Sequence, residues 1–207
     1  MARATGPLMS MDASGTIGKT ITYSKWKGRN YVRRWVIPHN PQSALQVSTR
    51  AMMTFLSQAW AGISSPDKDS WTAFADSLKI STFNAFIRGN QKAFGNFDPV
   101  YSATPPARIE TPDAVTSVAD AVDGKLATIT LTLATFLTTW GALLCVQPTS
   151  IVAASRSTVI KVPPISGTVT THQIGPFAPG TYGYLMRPFT ADGVWGADST
   201  PGTFVIS

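Results

Sequence analysis

A chain of 207 residues with 43% hydrophobic and only 14% charged side chains can bury a core, and its composition is neither disordered nor fibrous. It holds no run near the about 18 apolar residues a membrane span needs, since 127–144 is interrupted by Thr, Trp and Gly, so no membrane role is expected. The net charge of +6 is uneven: residues 1–97 set twelve Lys and Arg against four Asp, a net +8, while 98–207 set five against seven acids, a net −2. Such a division points to two modules with different partners, an anionic surface for the first and a weakly charged one for the second.

Residues 1–15 are small and polar, with Gly6-Pro7 and Ser14-Gly15 as breakers, and read as an arm. The N-terminus has no apolar stretch of signal-peptide length, so folding in the cytoplasm of the producing cell is expected. Strand formers recur over Thr16–Trp26 and Arg29–Ile37, with Lys27-Gly28 between them, which predicts a β-hairpin. Alternation puts Tyr31, Arg33 and Trp35 on one face of its second strand and Val32, Arg34 and Val36 on the other. Both faces then carry a cation and apolar bulk, a pattern suited to a ribbon laid against something else.

Asn40 and Pro41 fit the N-cap and first position of a helix running to about Gly62, with Leu45, Met52, Phe55, Leu56 and Trp60 at helical spacing. A second helix follows Ser65-Pro66-Asp67, with Trp71, Phe74, Ala75 and Leu78 inward, and a third begins at Ser81 and fades near Gly95. The expectation is a small three-helix bundle that, with the hairpin, forms one anchoring domain over 16–97. Residues 98–112, with Pro99, Pro105, Pro106 and Pro112, read as an extended linker. Beyond it, short runs rich in Thr, Val, Ile and Leu recur about every ten residues over 113–207: 114–119, 127–133, 140–147, 158–162, 168–174, 182–189 and 202–206. This texture predicts an antiparallel β-sandwich of immunoglobulin-like architecture. The predicted fold class is therefore α+β and multidomain.

Catalytic chemistry finds little footing. His39 and His172 lie far apart in sequence, the one cysteine, Cys145, sits in an apolar run, and Asp67 and Asp69 are explained by a helix first turn. Gly15-Thr-Ile-Gly-Lys-Thr has two residues between its glycines where a phosphate loop needs four. No enzyme activity, catalytic residue, metal or cofactor is expected. The constellation that remains is the basic and aromatic hairpin: Lys25, Lys27, Arg29, Arg33 and Arg34 supply charge, and Trp26, Tyr31 and Trp35 supply surface that packs on a partner or stacks on bases. The same aromatics would serve equally to cover the helical bundle.

Two resemblances extend this reading. Pro179-Gly180-Thr181, Tyr182 or Tyr184, and Asp192-Gly193 resemble the corner, tyrosine and last hairpin of fibronectin type III domains, which implies that sandwich for about the last 95 residues. The strand at 127–133 lacks that family's early tryptophan. In the first half, Gly15–Gly18, Ser24-Lys-Trp-Lys-Gly-Arg-Asn-Tyr-Val-Arg-Arg, Asn40-Pro-Gln-Ser with Arg50, Trp60, Trp71 and Phe83-Asn-Ala-Phe resemble a family of small proteins encoded among the structural genes of tailed bacteriophages. The resemblance implies a virion structural protein, assembled in the host cytoplasm, whose partners are capsid, portal or tail components. Capsid decoration or a head-tail position is preferred, with a tail, baseplate or host-surface-binding virion protein, and a nucleic-acid-binding protein using the basic and aromatic hairpin, as the alternatives; self-association and a weak contact with nucleic acid are further partner expectations.

Overall fold

A computed structural model describes residues 3–4, 13–37 and 39–207. Most of the expected arm lies outside the described residues. The chain divides into two compact units, Met1–Pro41 and Gln42–Ser207. Among the described residues there are eleven strands and four helices.

The first unit is an antiparallel meander of β1 (Arg3–Ala4), β2 (Ala13–Ile17), β3 (Ile21–Trp26) and β4 (Arg29–Arg34), paired in sequence order. The run expected as a single strand over 16–26 is broken at Gly18-Lys19-Thr20. Lys19 adopts a left-handed φ of 53°, and the N–H and the hydroxyl of Thr20 both donate to the Ile17 carbonyl. β3 and β4 form the expected hairpin, but β4 stops at Arg34, so Trp35 and Val36 lie beyond it.

In the second unit, α1 (Ala44–Gly62) starts later than expected. Gln42 takes a φ of 47°, which no helix accommodates, so Ser43 rather than Asn40 precedes the helix. The second predicted helix is two, α2 (Ser65–Ser70) and α3 (Thr72–Leu78), meeting at Trp71. The Ser64 hydroxyl accepts from the Asp67 N–H at the start of α2, and the Ser81 hydroxyl accepts from Asn84 at the start of α4 (Thr82–Gly95).

Seven strands follow: β5 (Val115–Asp123), β6 (Leu126–Leu133), β7 (Thr139–Pro148), β8 (Val159–Lys161), β9 (Val169–Ile174), β10 (Gly180–Thr190) and β11 (Gly202–Ile206). They make two antiparallel sheets of order β5-β6-β9 and β11-β10-β7-β8. β6 alternates as a strand with one buried face should, with Ala127, Ile129, Leu131 and Leu133 inward and Thr128, Thr130 and Thr132 outward. β7 does not alternate. Its Ala142, Leu144 and Val146 meet Ile129, Leu131, Tyr184 and Met186 in the core between the sheets, while Leu143 and Cys145 join Met52, Phe55, Phe86, Leu185 and Phe189 in a second core on the opposite side.

The helices are therefore a third layer on the β7–β10 sheet, and the expected separate bundle is not what forms. Phe55 of α1 packs edge-on against Trp140 and Phe189, with ring centroids 5.1 Å and 5.3 Å away. A Cβ at Gly141 would stand 2.9 Å from Phe55 and 2.7 Å from Phe189, so this approach of helix to sheet needs glycine there. Residues 98–112 are built into the same unit and are not a spacer. Tyr101 stacks on Trp71, whose indole N–H donates to the Ser102 carbonyl at 2.7 Å. The Asn90 side chain accepts from the Tyr101 N–H and donates to its carbonyl, and Ser102 and Arg108 donate backbone N–H groups to Ala191 and Asp192.

The start of β5 is pinned by a buried carboxylate. Asp113 accepts from the N–H groups of Leu137, Thr138 and Thr139 and from the hydroxyls of Thr135 and Thr139, fixing the loop between β6 and β7. Desolvation pushes its pKa up, but the hydrogen bonds from Thr135, Thr138, Thr139 and Leu137 outweigh it and hold the carboxyl well below the usual carboxylate range.

A 113–207 fragment would expose Leu143, Cys145, Leu185 and Phe189, so it should aggregate or bind a hydrophobic dye, whereas 42–207 should melt in one transition by calorimetry; Phe55→Ala should cost about 3–5 kcal/mol in urea denaturation. Because the folded carboxyl of Asp113 is depressed, its contribution is complete above the unfolded value of about 4 and fades as pH falls. Asp113→Ala should lose about 3 kcal/mol at pH 7 in denaturation, and that difference from the native chain should shrink progressively below about pH 4.

Candidate partner-binding site

The hairpin's geometry starts at its turn. Lys27 and Gly28 have φ of 47° and 80°, both left-handed, as a two-residue turn matched to strand twist requires. That turn sets the register Trp26↔Arg29, Lys25↔Asn30, Ser24↔Tyr31, Tyr23↔Val32, Thr22↔Arg33 and Ile21↔Arg34. In such a hairpin the pair closing the turn is hydrogen-bonded and every second pair after it also. The bond from the Trp35 N–H to the Thr20 carbonyl, 2.8 Å, continues that set. It follows that the backbone N–H and C=O of Val32 and Arg34 point away from β3, along the outer edge of the sheet.

The eight residues singled out by sequence are not all brought together. Trp26, Arg29, Tyr31 and Arg33 share one face of the ribbon, with Thr22 and Ser24. Lys25 and Arg34 lie on the other, with Ile21, Tyr23 and Val32; Lys27 sits in the turn and Trp35 lies past the strand, half-buried. All six residues of β4 are exposed, and Trp26 is 66% exposed. Trp26, Arg29, Asn30 and Tyr31 line an open cleft of about 520 Å³. The Lys27 ammonium stands 4.8 Å from the centre of the Trp26 ring, a cation–π pair that holds the indole outward. The described residues of this unit include seven Lys and Arg and no Asp or Glu, so together they carry a net positive charge. The outer edge of β4 was missed by sequence reasoning; its signal was the strand that carries cations on both faces and has no apolar side.

Elsewhere, the groups weighed for chemistry are fixed structurally. Burial above all pushes the Cys145 thiol up to about 11, which keeps it protonated. Burial, with Lys161 nearby, pushes the His172 pKa down, and His39 is exposed. Among the described residues no three His, Cys, Asp or Glu side chains group to hold a metal, and no helix is long and apolar enough to cross a membrane. The two tyrosines are held differently: the Tyr182 hydroxyl donates to the Ala178 carbonyl at 3.0 Å, just before β10, whereas the Tyr184 hydroxyl donates to Asp120.

No protein-family model and no curated protein matches the chain. Among solved structures it is similar to the crystal structure of chicken CNTN1 FN1-FN3 domains, at 13% identity and a TM-score of 0.37, over 46% of this chain and 31% of that one. The chain thus spans about a third of that structure's length.

The native Cys145 should resist a thiol-specific disulfide reagent at pH 8 and react stoichiometrically in guanidinium. Rapid labelling of the folded chain, followed by absorbance, would contradict the burial of this thiol between helix and sheet.

Proposed function

We propose that this chain is a structural protein of a tailed-bacteriophage virion that docks through its basic first unit and displays its second. The observation that carries the reading is a meander without an acid among its described residues, whose last strand exposes every side chain and sets Trp26, Arg29, Tyr31 and Arg33 on one face. Such a surface offers charge and aromatic area to a partner and no group positioned for bond-making, so binding, not catalysis, is the role proposed. The residues that carry the phage resemblance fall on this meander, on 40–43 before α1, on α1 and α4, and at Trp71 between α2 and α3. Within this reading the chain decorates the capsid or sits at the head-tail region, with tail or baseplate the next choice, and its partners are other virion proteins.

The second unit supports the display role. Its strand order, with the Tyr182 hydroxyl tied to Ala178, fits a fibronectin type III or immunoglobulin-like sandwich, here with a helical layer added. Such sandwiches serve as spacers, adhesins and decorations alike, and no residue of it is assigned a ligand. Nucleic-acid binding is a second reading, favoured by the cleft of Trp26 and Tyr31 beside Arg29, which suits a stacked base.

Arg33→Glu/Arg34→Glu should reduce incorporation into purified particles at least about tenfold by quantitative mass spectrometry, with the melting temperature of the free chain unchanged. Incorporation at the native level would make the ribbon a solvated face, and particles lacking the unmodified chain would remove the virion reading altogether. The nucleic-acid reading instead requires a low-salt gel shift that weakens by about one log unit per log of salt for each phosphate contacted.

A further inference from the structure

We infer that the first unit engages its partner by strand addition: the outer edge of β4 takes up an extended segment whose acidic side chains alternate with small or apolar ones. The inference rests on the docking reading proposed for this unit and names its chemistry. Three observations carry it. β4 is the last strand of its sheet among the described residues, and Val32 and Arg34 aim their backbone N–H and C=O outward from it. An edge of this kind is a template for another strand, which contributes main-chain hydrogen bonds at every second residue. Every side chain of β4 is exposed, so nothing within the strand itself obstructs the approach.

Charge decides what that strand is. β4 carries Arg29, Arg33 and Arg34, with cations on both its faces. A second copy pairing antiparallel about Tyr31 would set Arg29 opposite Arg33 at each end, where directly opposed like charges destabilise a strand pair, and in the register about Val32 it would still place six arginines on two adjacent strands with no acid between them. The edge therefore selects against itself. On the face shared by Arg29, Tyr31 and Arg33, the complementary segment places carboxylates two residues either side of an apolar residue, which lies against Tyr31. A phosphate backbone offers charge as well, but it has no ladder of amides to meet Val32 and Arg34.

The test uses the full chain and a fluorescein-labelled peptide, acetyl-Thr-Glu-Thr-Val-Thr-Glu-Thr-amide, with a scramble of the same composition and an oligo-dT of about 15 nucleotides as competitors. Val32→Pro removes the outward N–H; proline is tolerated on an edge strand where the N–H faces solvent, and circular dichroism confirms the fold. Strand addition predicts saturable binding by anisotropy, weakened about tenfold by Val32→Pro and by Arg33→Glu, slower exchange of the Val32 amide on binding, and poorer competition by the scramble. Equal affinity for Val32→Pro, equal competition by the scramble, or displacement by oligo-dT at lower concentration would overturn it, as would no saturable binding at low salt, which would leave the arginines as edge protection only. If Val32→Pro enters particles normally while Arg33→Glu/Arg34→Glu does not, the docking reading stands and strand addition falls.

Discussion

The second unit depends on one constraint: the sheet of β7 and β10 is buried on both faces. A sheet that must keep water from either side needs a layer on each, and the chain supplies the three strands of β5, β6 and β9 on one side and the helices on the other. The meeting of Phe55, Phe189 and Trp140 over Gly141 is where the helical layer approaches the sheet most intimately. Truncating any of those rings would open a void that both layers line, and this shared core ties the helices and the sheets into one compact unit. The segment 98–112 belongs to that body for the same reason: Val100 is fully buried, and Asn90 satisfies the backbone of Tyr101 where no strand or helix does.

The use of cations differs between the units. In the second unit Arg156 donates to the Gly95 carbonyl at the end of α4 and to Thr49 of α1, and Arg187 pairs with Asp198, which in turn accepts from the Ala154 N–H. These guanidinium groups are structural, and each bridges elements distant in sequence. In the first unit the arginines of β4 stand on an exposed strand in a unit whose described residues include no acid. Placing like charges so close is unfavourable without a counter-charge, and a partner can relieve that repulsion.

Much of this architecture was legible in sequence, and the failures share a cause. The seven sandwich strands fall within a few residues of their predicted spans because each is short and bounded by Gly, Pro or Asp. The hairpin was legible because Lys27-Gly28 demands a left-handed turn. The domain boundaries were not, because composition reports local texture while a domain is defined by which faces meet. The signal was nevertheless present in Trp140–Val146, an unbroken apolar run where a two-layer sandwich would alternate; such a run marks a strand covered on both sides. Asn40 misled because its capping chemistry was judged without the backbone of Gln42, whose φ of 47° delays the helix. Of the candidate site, residue types were legible and faces only in part. Strand length decided the rest: with β4 ending at Arg34, Trp35 leaves the face it was assigned.

The meander also has an unusual apolar economy. Ile17, Ile21, Tyr23 and Val32 share one face by register, yet Ile17, Ile21 and Val32 remain 41%, 41% and 49% exposed, and only Tyr23 is buried. A small sheet with so little covered surface is marginal by itself, since hydrophobic stabilisation follows the area removed from water. Any partner that covers this face or extends the edge of β4 binds the folded meander and not its unfolded chain, so it raises the unit's stability by mass action. Docking of a partner there would thus be linked to folding of the first unit, while the second unit buries two hydrophobic cores of its own. On the docking reading proposed for the first unit, a partner would complete a sheet that covers little of its own apolar surface, whereas the second unit buries two cores within itself.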